Sequence, residues 1–203
     1  MTFVIATNNA GKLKETKAML QSESVEVLTL SDLGLALVPE ETGTTFEENA
    51  LIKANETAAL LREHGHKSFA VLADDSGIEI DAFDKRPGVD SANFLGTETP
   101  FVVRNAKILE MMADIPEEKR TARFISVIVC VLAEETFSVR GTFEGFISHE
   151  QKGDNGFGYD PIFFIPEQGK CMAELSDDKK NAISHRWRAM RKIVEALRER
   201  AIL

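Results

Sequence analysis

The sequence lacks the features that mark membrane-spanning, zinc-binding and secreted proteins. No apolar run approaches the roughly 20 residues that a membrane-spanning helix needs, and no signal peptide precedes the first strand pattern. The two cysteines, Cys130 and Cys171, have no metal-ligand spacing, and the four histidines form neither an HxH nor an HExxH pattern. We therefore expect a cytoplasmic protein with two reduced thiols and no zinc site.

Positive charge is also scarce, since the 203 residues carry a formal net charge of -9. A general binder of nucleic acid or anionic membranes needs a basic surface, so both classes are disfavoured. A small phosphorylated ligand remains compatible, because a few local cations and a metal ion can hold it. The chain is 43% hydrophobic and has no internal repeat, low-complexity tract or linker. We expect residues 1–203 to form one domain with a sizeable core and two lobes.

The stretch VLADDSGIEIDAF, from Val71 to Phe83, presents two adjacent carboxylates between apolar segments. Apolar residues lead into Asp74 and Asp75, and apolar alternation resumes at Ile78, which predicts a strand on each side. Asp-Ser-Gly is typical of a turn, so the carboxylates are expected at a strand end. Neighbouring carboxylates repel each other, and a nearby cation would offset that cost. A solvated hairpin turn explains the same residues equally well.

A second polar segment, TNNAGK from Thr7 to Lys12, follows a predicted strand and precedes a predicted helix. The start of a helix offers free backbone N–H groups and the positive end of the helix dipole, and Lys12 adds a positive charge. Together these features suit a phosphate group. The segment is neither a Walker A nor a Rossmann motif. An ordinary helix capped by Asn8 or Asn9 is the alternative interpretation.

The segment Thr45-Phe46-Glu47-Glu48 fits the capping-box pattern and predicts a helix that runs to about Glu63. Apolar residues at helical spacing form its buried side, and Lys53 lies next to that stripe. Glu41 comes just before the helix. Its carboxylate could interact with the helix dipole or bind a metal ion.

The sheet type follows from two long strand patterns. Ala122 to Ala133 is a long apolar strand, and Thr136 to Ser148 returns from it after two glutamates. The two strands predict an antiparallel hairpin. Such a hairpin in a chain of alternating strands and helices predicts a mixed sheet rather than a regular doubly wound one.

The segment KGDNGFGYDP sets two aromatic rings between glycines. Glycine-rich segments are normally filled with polar residues, so Phe157 and Tyr159 suggest a flat ligand stacked against a closely approaching backbone. A turn whose aromatic rings are buried in the core is the alternative.

Further along the chain, Lys180, His185 and Arg186 are expected to cluster near a helix start. Cations there oppose the helix dipole unless an anion or polar ligand is present, and a solvated basic face is the default interpretation.

Five segments occur together in the order and spacing of one family: TNNAGK, EETGTTFEENALIKA, ADDSG, GFGYDPIFF and SDDKKNAISHR. On these motifs the chain resembles the non-canonical purine NTP pyrophosphatase (inosine triphosphate pyrophosphatase) family, and the resemblance covers essentially the whole chain. It implies hydrolysis of ITP, dITP and XTP to the monophosphate and pyrophosphate, with Mg²⁺. It also implies a homodimer and an α/β fold, in which an elongated mixed β-sheet is flanked by helices and the site lies in a central cleft between two lobes.

The resemblance also implies catalytic roles. Asp75 would accept the proton of the attacking water, with Asp74 in support, and Glu41 with Asp75 would bind the metal ion. One departure is Asn93, where the family commonly carries a basic residue. Asn93 is therefore left out of the predicted site.

Substrate-binding residues are implied at both ends of the nucleotide. Phe157 would stack on the base, while His185 and Arg186 would read the 6-oxo edge of the purine. An arginine donor that faced the amino group of adenine would be unpaired, which costs about 1–3 kcal/mol and disfavours ATP. The full implied set is Thr7, Asn8, Asn9, Ala10, Gly11, Lys12, Lys53, Ser76, Phe157, Gly158, Tyr159, Asp160, Lys180, His185 and Arg186.

Two other functions are compatible with parts of the sequence. One is a Maf-like pyrophosphatase that acts on modified pyrimidine nucleotides, and the other is a nucleotide-binding module without turnover. The GFGYD and SHR segments match purine-reading elements, which argues against the first. The acidic residues Asp74, Asp75 and Glu41 argue against the second, because a passive binder needs phosphate donors more than extra carboxylates.

Overall fold

The computed structural model describes residues 1–20, 23 and 25–203 and shows an α/β fold. The strands are β1 (Thr2–Ile5), β2 (Glu26–Thr29), β3 (Phe69–Ile80), β4 (Thr121–Val131), β5 (Thr136–Ile147), β6 (Phe163–Ile165) and β7 (Lys170–Cys171). The α-helices are α1 (Ala10–Leu20), α2 (Phe46–Glu63), α3 (Phe101–Met111), α4 (Asp177–Ile183) and α5 (His185–Glu199). None of these helices is long and apolar enough to span a bilayer.

The strands form one mixed sheet in the order β2-β1-β3-β4-β5-β6-β7. β1 pairs in parallel with β2 and β3, while β6 pairs antiparallel with β5 and β7. Residues 132–135 join β4 to β5. A bond from Leu132 N to Glu135 O (2.8 Å) closes one end of this hairpin, and a bond from Ile147 N to Arg120 O (2.8 Å) closes the other. The predicted mixed sheet and antiparallel hairpin are confirmed.

The chain divides into two compact units, each with its own core. The first unit is Met1–Asp75, Ser126–Gly141 and Arg186–Leu203, and the second is Ser76–Ile125 and Thr142–His185. The first core includes Phe3, Leu72, Ile128, Met190 and Ile193. The second includes Ile78, Ile108, Phe124, Ile162 and Phe163. Both cysteines are buried and free. The assignment of residues 1–203 to one two-lobed domain with a central cleft stays a prediction.

Helix α2 begins where the sequence predicts. Thr45 Oγ1 accepts a hydrogen bond from Glu48 N (3.2 Å), and the Glu48 carboxylate accepts one from Thr45 N (3.1 Å), which completes the capping box. The predicted apolar stripe is buried and fixes the rotation of the helix. Its members are Phe46, Ala50, Ala54, Ala58 and Leu61. Because Lys53 lies beside this stripe, its side chain is held in the interior and is 10% exposed.

The Asp-Ser-Gly segment is not a turn, so the prediction that Asp74 and Asp75 lie at a strand end is wrong. β3 runs through both residues without interruption for 12 residues. It is an inner strand between β1 and β4, where a turn would break the ladder. Gly77 is needed instead because Ser91 packs closely against its backbone, and a Cβ there would lie 2.3 Å from Ser91 Oγ. Ile78 N donates a hydrogen bond to the same oxygen at 2.9 Å.

Helix α3 has polar residues on its buried face. It begins at Phe101, directly after the cap residue Pro100. Ile108 is buried, whereas Val103 is 52% exposed, and Arg104 and Asn105 lie on the buried side. Polar side chains can lie there because backbone carbonyls accept their hydrogen bonds.

Candidate active site

Asp74 is a carboxylate whose two oxygens both have hydrogen-bond donors. Ser126 Oγ donates to Oδ1 at 2.7 Å and Arg186 Nε donates to Oδ2 at 2.9 Å, while Lys12 Nζ lies 3.5 Å from Oδ2. Burial alone would raise the pKa of Asp74, but the two cations and the hydroxyl outweigh burial and hold the pKa well below its ordinary value. Asp74 is therefore suited to fixing Arg186 and Lys12 rather than to accepting a proton.

Asp75 differs from Asp74 in its hydrogen bonds and in the direction of its pKa shift. Lys53 Nζ donates to Oδ1 at 2.8 Å. Oδ2 is buried and has no hydrogen-bond partner among residues 1–20, 23 and 25–203. Burial raises the pKa of Asp75 by more than the nearby ammonium of Lys53 lowers it. A carboxylate with a raised pKa and an oxygen without a donor can accept a proton from water.

The two neighbouring aspartates differ because successive side chains of a strand point to opposite faces of the sheet. Asp74 therefore pairs with cations from α1 and α5, whereas Asp75 pairs with Lys53 of α2. A separate cation for each carboxylate also offsets the repulsion that their adjacency predicts. Strand geometry thus gives the two aspartates different surroundings, and the roles of Asp75 as base and Asp74 as support stay predictions.

Lys53 also links Asp75 to Glu41. Its Nζ donates to Glu41 Oε2 at 3.0 Å. Burial lowers the pKa of Lys53, but the two carboxylates together raise it above its ordinary value, so the ammonium stays protonated. The Glu41 side chain is 46% exposed and is therefore accessible to a ligand from solution.

Glu41 and Asp75 are the residues that could hold Mg²⁺. Both offer hard oxygen donors, and Asp75 Oδ2 is a buried acceptor that lacks a protein donor within the described residues. Mg²⁺ is usually bound by one or two carboxylates together with substrate phosphates. No group of three or more His, Cys, Asp or Glu residues in the described ranges is arranged to hold a metal ion. The residues fit an ion that is shared with a phosphate ligand, and they do not fit an all-protein cage.

The predicted phosphate segment forms the start of α1. Asn9 Oδ1 accepts a hydrogen bond from Lys12 N (3.0 Å), and Thr7 Oγ1 accepts one from Asn9 N (3.2 Å), so the alternative interpretation of an Asn9 cap is confirmed. A cap does not exclude a ligand at the same place, because the segment is half-buried or exposed at Thr7, Asn8, Asn9, Ala10 and Gly11. Burial lowers the pKa of Lys12, whose Nζ also donates to Asp74 O at 3.3 Å.

Glu15 is a candidate site residue that was not identified from the sequence. It lies on α1, is 7% exposed, and accepts a hydrogen bond from Arg186 Nη1. The available signal was its spacing, since Glu15 follows Lys12 by three residues and faces the same side of the helix. Arg186 is 1% exposed and lies against the carboxylates of Glu15 and Asp74. These carboxylates explain how a buried cation can begin α5 against its dipole. Whether Arg186 reads the purine edge stays a prediction.

The aromatic glycine segment lies in the second unit. The Phe157 ring is 36% exposed, and Lys180 Nζ lies 4.5 Å from its centroid. Asp160 Oδ2 accepts hydrogen bonds from Lys180 Nζ (2.7 Å) and from Phe157 N (2.8 Å). Gly156 has a φ of +75°, and a Cβ there would lie 2.1 Å from the same oxygen, so glycine is required. The result is an exposed ring on a constrained loop beside an ammonium group, which suits a nucleobase.

Tyr159 and His185 are buried rather than open to a ligand. Tyr159 is 4% exposed, and its hydroxyl donates to Ser91 O at 2.7 Å. Burial raises the pKa of Tyr159 to about 12, so the phenol stays a donor. The alternative interpretation of a core aromatic is therefore right for Tyr159. His185 is 6% exposed and stacks on Phe124, with ring centroids 4.9 Å apart. Its role in base recognition stays a prediction.

The predicted site residues thus fall into two groups. The first unit contains Thr7, Asn8, Asn9, Ala10, Gly11, Lys12, Glu41, Lys53, Asp74, Asp75 and Arg186. The second contains Ser76, Phe157, Gly158, Tyr159, Asp160, Lys180 and His185. Within the second group Phe157, Asp160 and Lys180 are in mutual contact, whereas Ser76 is half-buried in β3.

Fold and site together define an α/β enzyme with the features of a phosphate-hydrolysing centre. Buried lysines can bind a polyanion, and a carboxylate with a raised pKa can activate water. The chain belongs to the Ham1 family, whose family model matches residues 3–196.

Individual relatives agree with this assignment. The dITP/XTP pyrophosphatase of Exiguobacterium sibiricum is 49% identical over 198 residues, which is 97% of each chain. The dITP/XTP pyrophosphatase of Bacillus subtilis is 43% identical over 195 residues, or 96% of each chain. The solved structure of the Staphylococcus aureus Ham1 protein matches with a TM-score of 0.86 and 36% identity, covering 98% of this chain and 100% of that one. The resemblance predicted from the five sequence motifs is confirmed.

Proposed function

We propose that this chain hydrolyses the non-canonical purine nucleoside triphosphates ITP, dITP and XTP to the monophosphate and pyrophosphate, and so cleans the nucleotide pool. The observation that carries this proposal is Asp75, a buried carboxylate with a raised pKa, a lysine on one oxygen and no donor on the other. A relative that is 49% identical to this chain is named dITP/XTP pyrophosphatase.

Hydrolysis by this site needs charge neutralisation, positioning and a base. Lys12 and Lys53 offset the charge of the triphosphate, and the exposed start of α1 offers backbone N–H groups. Water adds to a phosphorus atom next to the α–β bridging oxygen, the bridging P–O bond breaks, and Asp75 takes the proton from the water. Mg²⁺, held by Glu41 and Asp75 together with the phosphates, would neutralise charge that develops on the phosphate oxygens.

Stacking on the base is assigned to the second group of residues. Phe157 stacks on the purine, and Lys180 with Asp160 holds the loop that carries the ring. His185 and Arg186 discriminate the 6-oxo edge in this proposal. Adenine carries a 6-amino group, which cannot accept a hydrogen bond in place of the 6-oxo group. A buried protein donor that faces it would be unpaired, and the cost of this unpaired donor disfavours adenine.

The family assignment favours this function over a Maf-like pyrophosphatase for modified pyrimidine nucleotides. The paired lysine and carboxylates at Asp75 favour turnover over passive binding. We also propose a homodimer in the cytoplasm, which analytical ultracentrifugation and cell fractionation would test.

The proposed function is tested by measuring pyrophosphate release from ITP, XTP, dITP, ATP, GTP and dUTP, each with and without Mg²⁺. We expect turnover of the first three and loss of turnover when Mg²⁺ is chelated. Equal rates with ATP and ITP would overturn the specificity. Absence of turnover with every nucleotide would favour the binding module, and turnover of dUTP alone would favour the pyrimidine enzyme.

A further inference from the structure

Asn105 is a buried amide on α3 that neither the sequence motifs nor the proposed chemistry uses. It is 1% exposed, and its Nδ2 donates to the backbone carbonyl of Gly158 at 3.1 Å. A carbonyl can only accept, so the amide must present its NH₂ group there. Its Oδ1 is buried without a hydrogen-bond partner within residues 1–20, 23 and 25–203. A buried amide that leaves its oxygen unbonded carries a free-energy cost, which an apolar residue at the same position would avoid.

Gly158 is the residue that links the exposed ring of Phe157 to the buried ring of Tyr159. Phe157 is 36% exposed, whereas Tyr159 is 4% exposed. The Tyr159 ring packs edge-on against Phe101, with centroids 5.2 Å apart. The direction in which Phe157 points therefore depends on how the next two residues of the loop are fixed.

One face of α3 fixes both of those residues. Phe101 and Asn105 are four residues apart and so lie on the same side of the helix. Phe101 holds the Tyr159 ring, and Asn105 holds the Gly158 carbonyl.

We propose that Asn105 is a positioning residue for nucleobase binding, acting through Gly158 to hold the Phe157 ring in its stacking orientation. This inference rests on the proposed function, in which Phe157 stacks on the purine. Asn105 is expected to affect the base end of the nucleotide and to leave the triphosphate end unchanged. Without the amide donor, the half-buried Gly158 carbonyl loses its partner and the loop gains alternative conformations.

The test compares Asn105→Leu with wild type and with Lys107→Gln. Lys107 lies on the same helix but is half exposed and pairs with Glu110, so it controls for general disturbance of α3. Calorimetric affinities are measured for IMP, which carries the base, and for inorganic triphosphate, which lacks it. The KM and kcat for ITP are measured alongside. These binding measurements need no turnover, so a failure of the proposed hydrolysis is distinguishable from a failure of this inference.

We expect Asn105→Leu to weaken IMP binding and raise the KM for ITP about tenfold, as loss of one net hydrogen bond predicts. Triphosphate affinity and kcat should change less than about twofold, and Lys107→Gln should resemble wild type. Unchanged IMP binding in folded Asn105→Leu overturns the inference, and so does an equal loss of triphosphate affinity.

A second variant keeps the inference testable if Asn105→Leu does not fold. Tyr159→Phe removes only the hydroxyl that donates to Ser91 O, so the same loop loses one anchor while the ring stays in place. It should weaken IMP binding about threefold without affecting triphosphate. If Asn105→Leu is unfolded and folded Tyr159→Phe binds IMP like wild type, the inference is overturned.

Discussion

Arg186 Nε lies 2.9 Å from Asp74 Oδ2, in an ion pair whose arginine is 1% and whose aspartate is 8% exposed. The two residues are 112 positions apart, so the pair fixes the start of α5 against β3. Lys12 and Glu15 join the same pair from α1. Three separate segments of the first unit are thus tied at one buried carboxylate.

Replacement of Asp74 by Asn should destabilise the protein. It removes a carboxylate from a buried pair and leaves Arg186 and Lys12 with less compensation, which costs about 3–5 kcal/mol in the free energy of unfolding. Urea unfolding measures this loss. Ser126→Ala, which removes only the hydroxyl on Asp74 Oδ1, is the matched control and should cost about 1 kcal/mol. Equal losses in the two variants would contradict a dominant ion pair.

The same pair predicts a pH dependence of stability. Because the folded-state pKa of Asp74 is lowered, its contribution is fully present above the unfolded-state pKa of about 3.9 and is lost as the pH falls towards the folded-state value. The free energy of unfolding should therefore decline more between about pH 5 and pH 2 in wild type than in Asp74→Asn. Parallel pH profiles would show that other carboxylates dominate acid unfolding.

Replacement of Asp75 by Asn should preserve the fold and remove most turnover. A general base typically contributes about 10²–10⁴-fold, so kcat should fall by at least about 100-fold. The exposed Asp90→Asn is the control and should keep wild-type kcat. Near-normal activity in Asp75→Asn would transfer the role of base to Asp74 or Glu41.

The raised pKa of Asp75 sets the acid limb of the pH–rate profile. The base must be ionised, so activity should be lost as the pH falls through its raised pKa, which lies above the ordinary aspartate value of 3.8. Measuring kcat/KM for ITP against pH checks this shift, because this ratio reports the ionisation of the free enzyme. An acid limb at or below the ordinary value would argue that Asp75 is not the titrating base.

Phe157→Ala should weaken substrate binding without destabilising the protein, because the ring is already 36% exposed. Loss of base stacking costs about 1–3 kcal/mol, so the KM for ITP should rise by roughly one to two orders of magnitude. Thermal unfolding should be close to that of wild type. An unchanged KM would exclude stacking on this ring.

Gly77→Ala should destabilise the second unit, because the added Cβ would lie 2.3 Å from Ser91 Oγ and 2.5 Å from Gly88 O. Overpacking of this kind costs about 1–3 kcal/mol. Chemical denaturation measures the effect, and Ser76→Ala on the neighbouring position serves as the stability control. A neutral Gly77→Ala would mean that the segment around Ser91 can move aside.

Local patterns in the sequence predicted much of the fold. The Thr45–Glu48 capping box and the alanine stripe of α2 depend on residues close in the chain, so both were readable from spacing. The prediction of a turn at Asp-Ser-Gly was wrong. These residues have turn propensity, but they lie in an inner strand, where pairing with the neighbouring strands determines the backbone conformation.

The candidate site could also be predicted only in part, because some of its contacts join residues that are far apart in the sequence. Family motifs predicted Asp75 and Lys53, which the structure places in direct contact. Glu15 and Asn105 depend on partners 171 and 53 positions away, so no local pattern could have identified their contacts. The family resemblance implied different roles for Asp74 and Asp75, but the different partners of the two side chains became visible only with the strand, since they follow from which face each side chain occupies.

The charge balance of the first group together with Glu15 has a thermodynamic consequence. The cations of this set are Lys12, Lys53 and Arg186, and its carboxylates are Glu15, Glu41, Asp74 and Asp75. With one more carboxylate than cations, the group is formally negative, although the proposed substrate is a polyanion. A divalent cation that binds beside Glu41 and Asp75 would reverse that sign and raise nucleotide affinity. Reciprocity then requires the nucleotide to raise cation affinity by the same factor. With the proposed Mg²⁺ in this place, occupancy by a scarce nucleotide would be coupled to the free cation concentration, and a fall in the cation alone would weaken nucleotide binding.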